Sequence, residues 1–267
     1  MIGADSHTCS HGALGAFATG VGSTDFVGAI KQGTLWFMVP STLRFNLSGK
    51  LGTGVTAKDL ILTIIGRISG HGANYKAMEF SGEGLAGLSL ESRITIANLA
   101  VEAGAKNAIM EADEKVTSYL RQKRSGYDTG QVYASDSNAV FEKVLEYDLA
   151  TIQPVIAFPN TVDNVRPVEQ AEGIRLDQVF VGSCSNGRLE DLKIVTDIIE
   201  RKKIAKNLHF IISPASQSVY LEALSMGLIT VFLEAGAMVM NPNCSTCWGP
   251  GCYRGWRKAP VDRNAEL

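Results

Sequence analysis

The sequence predicts an α/β protein with mostly parallel sheets. Two observations carry this: a strictly alternating strand pattern followed by a helical one near residue 43, and a second run of apolar strands and amphipathic helices beyond residue 177. A composition of 45% hydrophobic and 19% charged residues over 267 positions is that of an ordinary globular chain long enough for about two domains.

In order along the chain, the Gly- and Ala-rich "HGALGAFATGVG" (11–22) reads as a closely packed helix. It is not a phosphate loop, because no G-x-G-x-x-G follows a strand there. "LRFNLSGKL" (43–51) alternates apolar and polar residues, the mark of a half-buried strand. In "TAKDLILTIIGRI" the apolar Leu60, Ile61, Ile64, Ile65 and Ile68 share one helical face, and Thr56 with Asp59 three residues on offers a capping box. "SLESRITIANLAVEAG" predicts a helix capped by Ser89 and stopped at Gly104. Three prolines and little periodicity make 151–168 a linker. Then come the strand "DQVFVGS", the helix "RLEDLKIVTDIIERKK", the strand "LHFIIS", the helix "ASQSVYLEALSMG", and the short segments "VFLEAG" and "AMVMN". Buried strands alternating with amphipathic helices imply a parallel sheet.

A net charge of −2 without basic clusters gives no footprint for nucleic acid or an anionic membrane surface. The start has no basic n-region or apolar h-region, and stretches such as "LILTIIG" are too short to span a bilayer, so the expectation is a cytoplasmic protein. Five cysteines do not look like a secreted disulfide framework, which favours metal binding or catalysis. Cys244 and Cys247 form a C-x-x-C, and Cys184 follows a predicted strand. Both segments fall at the carboxyl edge where open α/β sheets place ligands. A lone C-x-x-C fits a zinc knuckle, a redox pair or an iron–sulfur pair, and a structural zinc could add Cys252. Three cysteines with an open fourth position suggest instead a cluster whose bare iron does Lewis-acid chemistry.

The ordered motifs "GADSHTCSHGALGAFATGVGSTD", "YKAMEFSG", "ITIANLAVEAGAKNAI", "VFVGSCSNGRLEDL" and "NPNCSTC" resemble the aconitase superfamily, and within it the large subunits of the 3-isopropylmalate dehydratase type. The resemblance implies three-layer α/β domains: residues 1–40 as the remnant of a first domain, 41–150 as a second, and 169–267 as an incomplete third carrying the cysteines. It also implies a 4Fe-4S cluster on Cys184, Cys244 and Cys247, with Asn98 facing it. Asp5 would orient a catalytic histidine, Ser6 would contact substrate, and His7 would be hydrogen-bonded to Glu102. Positions 98 and 102 are i and i+4 and so share a face of an α-helix. His11, His71 and His209 match nothing and read as structural or surface residues.

The implied reaction is dehydration and rehydration of a 2-hydroxy dicarboxylic acid, interconverting 2- and 3-isopropylmalate in leucine biosynthesis. Homoaconitase and 2,3-dimethylmalate dehydratase are the neighbouring alternatives, and an inactive zinc- or cluster-binding fragment is the alternative outside catalysis. Large subunits of this type begin well before "DSHT" and continue past the C-x-x-C, so both ends read as truncation points. The family's serine base lies in a small partner subunit, and the chain alone is expected to have little activity.

Overall fold

The computed structural model describes residues 1–123 and 132–244. The chain divides into two compact units, Met1–Ala171 and Glu172–Leu267.

The first unit opens with β1 (Ile2–Gly3), a 3-10 helix (Ser6–Leu14), β2 (Thr19–Gly20) and α1 (Ser23–Gln32), with β1 and β2 pairing in parallel. Next come β3 (Thr42–Ser48), α2 (Ala57–Ile68), β4 (Ala77–Ser81), α3 (Glu83–Gly87), α4 (Leu90–Leu99), β5 (Asn107–Met110), α5 (Glu114–Lys123) and β6 (Lys143–Asp148). Strands β3 to β6 form a four-stranded sheet of order β5-β4-β3-β6 in which every pairing is parallel. Alternation along β3 sends Leu43, Phe45 and Leu47 into the core, where Phe45 stacks on Phe80 at 5.0 Å between ring centroids. Against that face α2 buries Leu60, Ile61, Ile64 and Ile65, the residues its periodicity selects. The Asp59 carboxylate accepts from both the backbone and the hydroxyl of Thr56 at 2.8 Å, so the start of α2 is fixed as the sequence predicts.

Within residues 1–40 the 3-10 helix packs on α4 and β5 inside the first unit. Residues 151–168 include β7 (Val155–Ala157) and β8 (Val165–Pro167), an antiparallel pair against α2. The pair is held from a distance, since Asp59 Oδ1 accepts from Val155 N at 2.9 Å and Asp163 Oδ2 accepts from Gly70 N at 2.9 Å. Prolines are compatible with such an edge pair because no ladder bond is asked of them.

In the second unit, β9 (Gln178–Gly182), α6 (Ser183–Asn186), α7 (Leu189–Ile199), β10 (His209–Ser213), α8 (Gln217–Ser225), α9 (Leu228–Ala235) and β11 (Met238–Val239) build a parallel sheet of order β11-β10-β9. Its core gathers Leu192, Phe210, Ile212, Ala223, Ile229 and Phe232. The segment "VFLEAG" therefore lies on a helix, α9, and "AMVMN" supplies the short third strand. Among the described residues no single helix is long and apolar enough to cross a membrane.

Candidate functional site

The DSH loop is short on regular structure and rich in side-chain bonds. Asp5 is extended and caps the 3-10 helix, its Oδ1 accepting from His7 N at 2.8 Å. Runs of 3-10 helix as long as Ser6–Leu14 are uncommon. This one is reinforced by side chains bonding the carbonyl three residues back. Thr8 Oγ1 donates to Asp5 O at 2.6 Å, Ser10 Oγ donates to His7 O at 2.7 Å, and His11 Nδ1 bonds Thr8 O at 2.9 Å. The predicted helix over 11–22 is thus a 3-10 helix that ends at Leu14, and the chain continues into β2.

The loop lies tightly on the unit's core, and Gly12 makes this possible. A Cβ there would stand 1.6 Å from the Ala108 carbonyl oxygen of β5. At α4 two further bonds fix the loop: Cys9 Sγ donates to Asn98 O at 3.6 Å and Asn98 Nδ2 donates to Ser10 Oγ at 2.9 Å. Asn98 is 1% exposed, and its Oδ1 is buried without a hydrogen-bond partner among the described residues.

His7 Nδ1 sits 3.4 Å from Ser6 Oγ and 3.8 Å from Asp5 Oδ1, with the imidazole about two-thirds covered and the carboxylate open to solvent. Asp5, Ser6 and His7 thus form one local cluster at the start of the 3-10 helix. Glu102 stands differently: it is half-buried, and its carboxylate has no hydrogen-bond or ion-pair partner among the described residues, His7 included. The cause is local. Ser89 caps α4 as expected, accepting from Ser92 N at 3.0 Å, but α4 ends at Leu99 and tightens into a 3-10 turn over Ala100–Ala103 before Gly104. That turn advances about 120° per residue rather than the α-helical 100°. The i, i+4 spacing of Asn98 and Glu102 therefore spans the junction between α4 and this turn rather than a single α-helix.

In the second unit the cysteines come to one edge. Cys184 lies on α6, immediately beyond β9, and Gly182 is in register with Ser213 at the end of β10. Gly182 has φ 149°, and a Cβ on it would meet Ser213 O at 2.2 Å, so only glycine lets the loop turn so close to its neighbour. Ser213 Oγ donates to Asn243 O at 3.2 Å, which ties the residue before Cys244 to the same edge. Cys184 is half-buried, Cys244 is exposed, and neither is in a disulfide. Cys247 and Cys252 lie outside the described residues.

Around Cys184 the structure adds three residues that the sequence reading did not single out. Arg188 Nη2 donates to Cys184 O at 3.3 Å, and Asp191 accepts from Asn186 Nδ2 at 3.1 Å and from Arg188 N at 3.0 Å. Burial pushes the Asp191 carboxyl above the usual carboxylate range, against the pull of Asn186 and Arg188. Asn186 Oδ1 and Arg188 Nε are buried with no hydrogen-bond partner among the described residues. Unspent polar capacity of this kind marks a ligand site more than a finished core. The R-x-x-D spacing was the available signal, read only as part of a helix start. Soft thiolate donors beside a cation at the carboxyl edge of a sheet fit an iron–sulfur cluster, as the donor chemistry requires.

This is an α/β protein with two cysteines at one carboxyl edge of a parallel sheet and a separately braced Asp-Ser-His loop. The chain belongs to the aconitase family, whose model (aconitate hydratase) matches residues 1–173 and 167–254. It is 47% identical over 249 residues to a 3-isopropylmalate dehydratase large subunit of Clostridium kluyveri, and 50% identical over 251 residues to 3-isopropylmalate dehydratase large subunit 1 of Pyrococcus abyssi. It is also 47% identical over 250 residues to a 2,3-dimethylmalate dehydratase large subunit of Eubacterium barkeri. Each match covers 93% of this chain and 59% of the relative, so the chain spans about three-fifths of the length of the curated relatives it matches.

Proposed function

We propose that this chain is the cluster-bearing part of a hydro-lyase large subunit that interconverts 2- and 3-isopropylmalate by dehydration and rehydration. The observation that carries the proposal is the arrival of Cys184 and Cys244 at one carboxyl edge of a parallel sheet, beside Arg188. Cys184, Cys244 and Cys247 would hold a 4Fe-4S cluster. When bound, it supplies a Lewis acid to a substrate oxygen and so eases departure of a hydroxyl that leaves poorly by itself.

The chain's own residues supply proton handling and orientation. His7, fixed by the Asp5 cap and the 3-10 helix, presents a ring nitrogen able to carry a proton to or from a substrate oxygen. Asp5 and Ser6 lie against its Nδ1 and bias which nitrogen holds the proton, and Ser6 also offers its hydroxyl to a substrate carboxylate. Glu102, half-buried and unpaired, offers an acceptor that is unspent and so open to His7 or to substrate. Arg188 braces the backbone of Cys184 and places a positive charge where an anionic thiolate is needed.

The reading includes a small partner subunit, since the relatives named "large subunit" imply one, a small dicarboxylic hydroxy acid as substrate, and a cytoplasmic setting. The Eubacterium barkeri relative favours 2,3-dimethylmalate as the second substrate to try. The test is an anaerobic assay of the protein from its full reading frame together with its small subunit, offering 2-isopropylmalate, 3-isopropylmalate and 2,3-dimethylmalate. Interconversion of the isopropylmalates, lost in Glu102→Gln while the cluster stays, supports the proposal. Turnover of dimethylmalate alone moves the substrate assignment, and no turnover of any hydroxy acid by cluster-loaded complex overturns the activity.

A further inference from the structure

We infer that Ser10 is a positioning residue for His7, acting as a one-way hydrogen-bond link between the His7 backbone and the buried carboxamide of Asn98. This rests on the reading of His7 as the proton-handling group.

The inference follows from counting donors. Ser10 has one hydroxyl proton, and the His7 carbonyl 2.7 Å away is an acceptor only, so that proton is committed. Toward Asn98, at 2.9 Å, Ser10 Oγ can therefore only accept. This forces Asn98 to present Nδ2 rather than Oδ1 and leaves Oδ1 buried without a donor, as observed. An unpartnered buried acceptor is destabilising, because it has given up its water without gaining a donor. A free carboxamide would flip to avoid that cost if Oδ1 could be satisfied on the Ser10 side, and the committed hydroxyl denies it that choice. With Asn98 1% exposed and its backbone carbonyl taking the Cys9 thiol at 3.6 Å, the link ends on a buried helix, α4. Asn98 therefore braces the loop through Ser10. Its side chain serves the placement of the His7 peptide, and through it the angle at which the imidazole leaves the 3-10 helix.

Three substitutions separate this role from simple packing. Ser10→Ala removes the link. Ser10→Cys keeps the volume but offers only a weak acceptor. Ser10→Thr keeps the hydroxyl. In the full-reading-frame protein, NMR of ring-labelled histidine and amide exchange read the loop directly, without need of turnover. Ser10→Ala and Ser10→Cys are expected to split or broaden the single set of His7 ring signals and to speed exchange of the Thr8–Leu14 amides at least tenfold. Ser10→Thr is expected to leave both as in the parent. In the cluster-loaded complex the first two lower kcat about tenfold or more with KM within twofold, and Ser10→Thr restores it.

The inference is overturned if Ser10→Ala and Ser10→Cys keep one set of ring signals and parental exchange, or if Ser10→Thr is as damaging as they are. A parent complex with no turnover, together with the expected NMR result, overturns the hydro-lyase reading and leaves the link standing.

Discussion

Replacing Gly12 with alanine tests how the DSH loop is held. The added Cβ would lie 1.6 Å from Ala108 O, 2.7 Å from Ala108 C and 2.8 Å from Asn107 Oδ1. Two of these atoms are strand backbone and cannot swing aside. Ordinary contact begins near 3.4 Å, so the 3-10 helix must retreat from β5 by roughly 2 Å, a shift that overpacked cores resist at about 1–3 kcal/mol. That retreat exceeds the tolerance of the Asn98–Ser10 and Cys9–Asn98 bonds, each worth about 1 kcal/mol or less. The expected loss is about 3–4 kcal/mol, or a fall in Tm of roughly 10 °C at the few degrees per kcal/mol typical of a unit this size. Gly28→Ala is the internal control: it lies within α1, and an added Cβ meets nothing within 4 Å. Trading glycine for alanine there should raise stability by about 0.5–1 kcal/mol. Thermal unfolding followed by circular dichroism, with urea titration beside it, measures both. A Gly12→Ala variant within 2 °C of the parent would refute the close approach of the loop to β5.

Arg93, 1% exposed, donates to Asp113 Oδ2 at 2.5 Å and to Leu85 O at 3.1 Å, so Arg93→Ala should cost about 3 kcal/mol in urea unfolding, less than a fully buried pair because Asp113 is 37% exposed. Burial draws the Asp113 carboxyl upward but the Arg93 hydrogen bond and charge outweigh it, and its pKa falls below the ordinary 3.8. A carboxyl depressed in the folded state contributes stability that is complete above its unfolded pKa and lost as pH falls through the folded value. Urea midpoints measured from about pH 5 down to pH 2 should therefore drop less steeply in Asp113→Asn than in the parent. Asp59→Ala removes both the cap of α2 and the acceptor for Val155 N. It should cost about 1–2 kcal/mol and speed amide exchange at Val155.

The elements legible in the sequence were those with one strong period and a local stop signal. β3 alternates strictly, and α2 carries both a five-residue apolar face and the Thr56–Asp59 box, so each is specified by its own residues. The DSH loop was legible as chemistry and illegible as structure, because its 3-10 helix rests on single side-chain bonds to carbonyls three residues back, which leave no apolar period. For a similar reason nothing in "NLAVEAG" announces that α4 tightens after Leu99, which leaves Asn98 and Glu102 on either side of the junction. Residues 151–168 looked like a linker because what orders them, Asp59 and Gly70, lies some ninety positions away. At the candidate site, the strand-end position of Cys184 and the spacing of the C-x-x-C are what the sequence displays. Asn186, Arg188 and Asp191 were missed because their role depends on the turn at Gly182 and Ser183, whose φ values of 149° and 64° the sequence does not display.

The central claim is that Cys184 and Cys244 converge to hold a cluster with Cys247, and iron and acid-labile sulfide counted on protein purified without oxygen test it most directly. The account predicts brown protein with about four iron and four sulfide per chain, and colourless protein after Cys184→Ser. Colourless parent protein carrying zinc, or a cluster that survives Cys184→Ser, would contradict it.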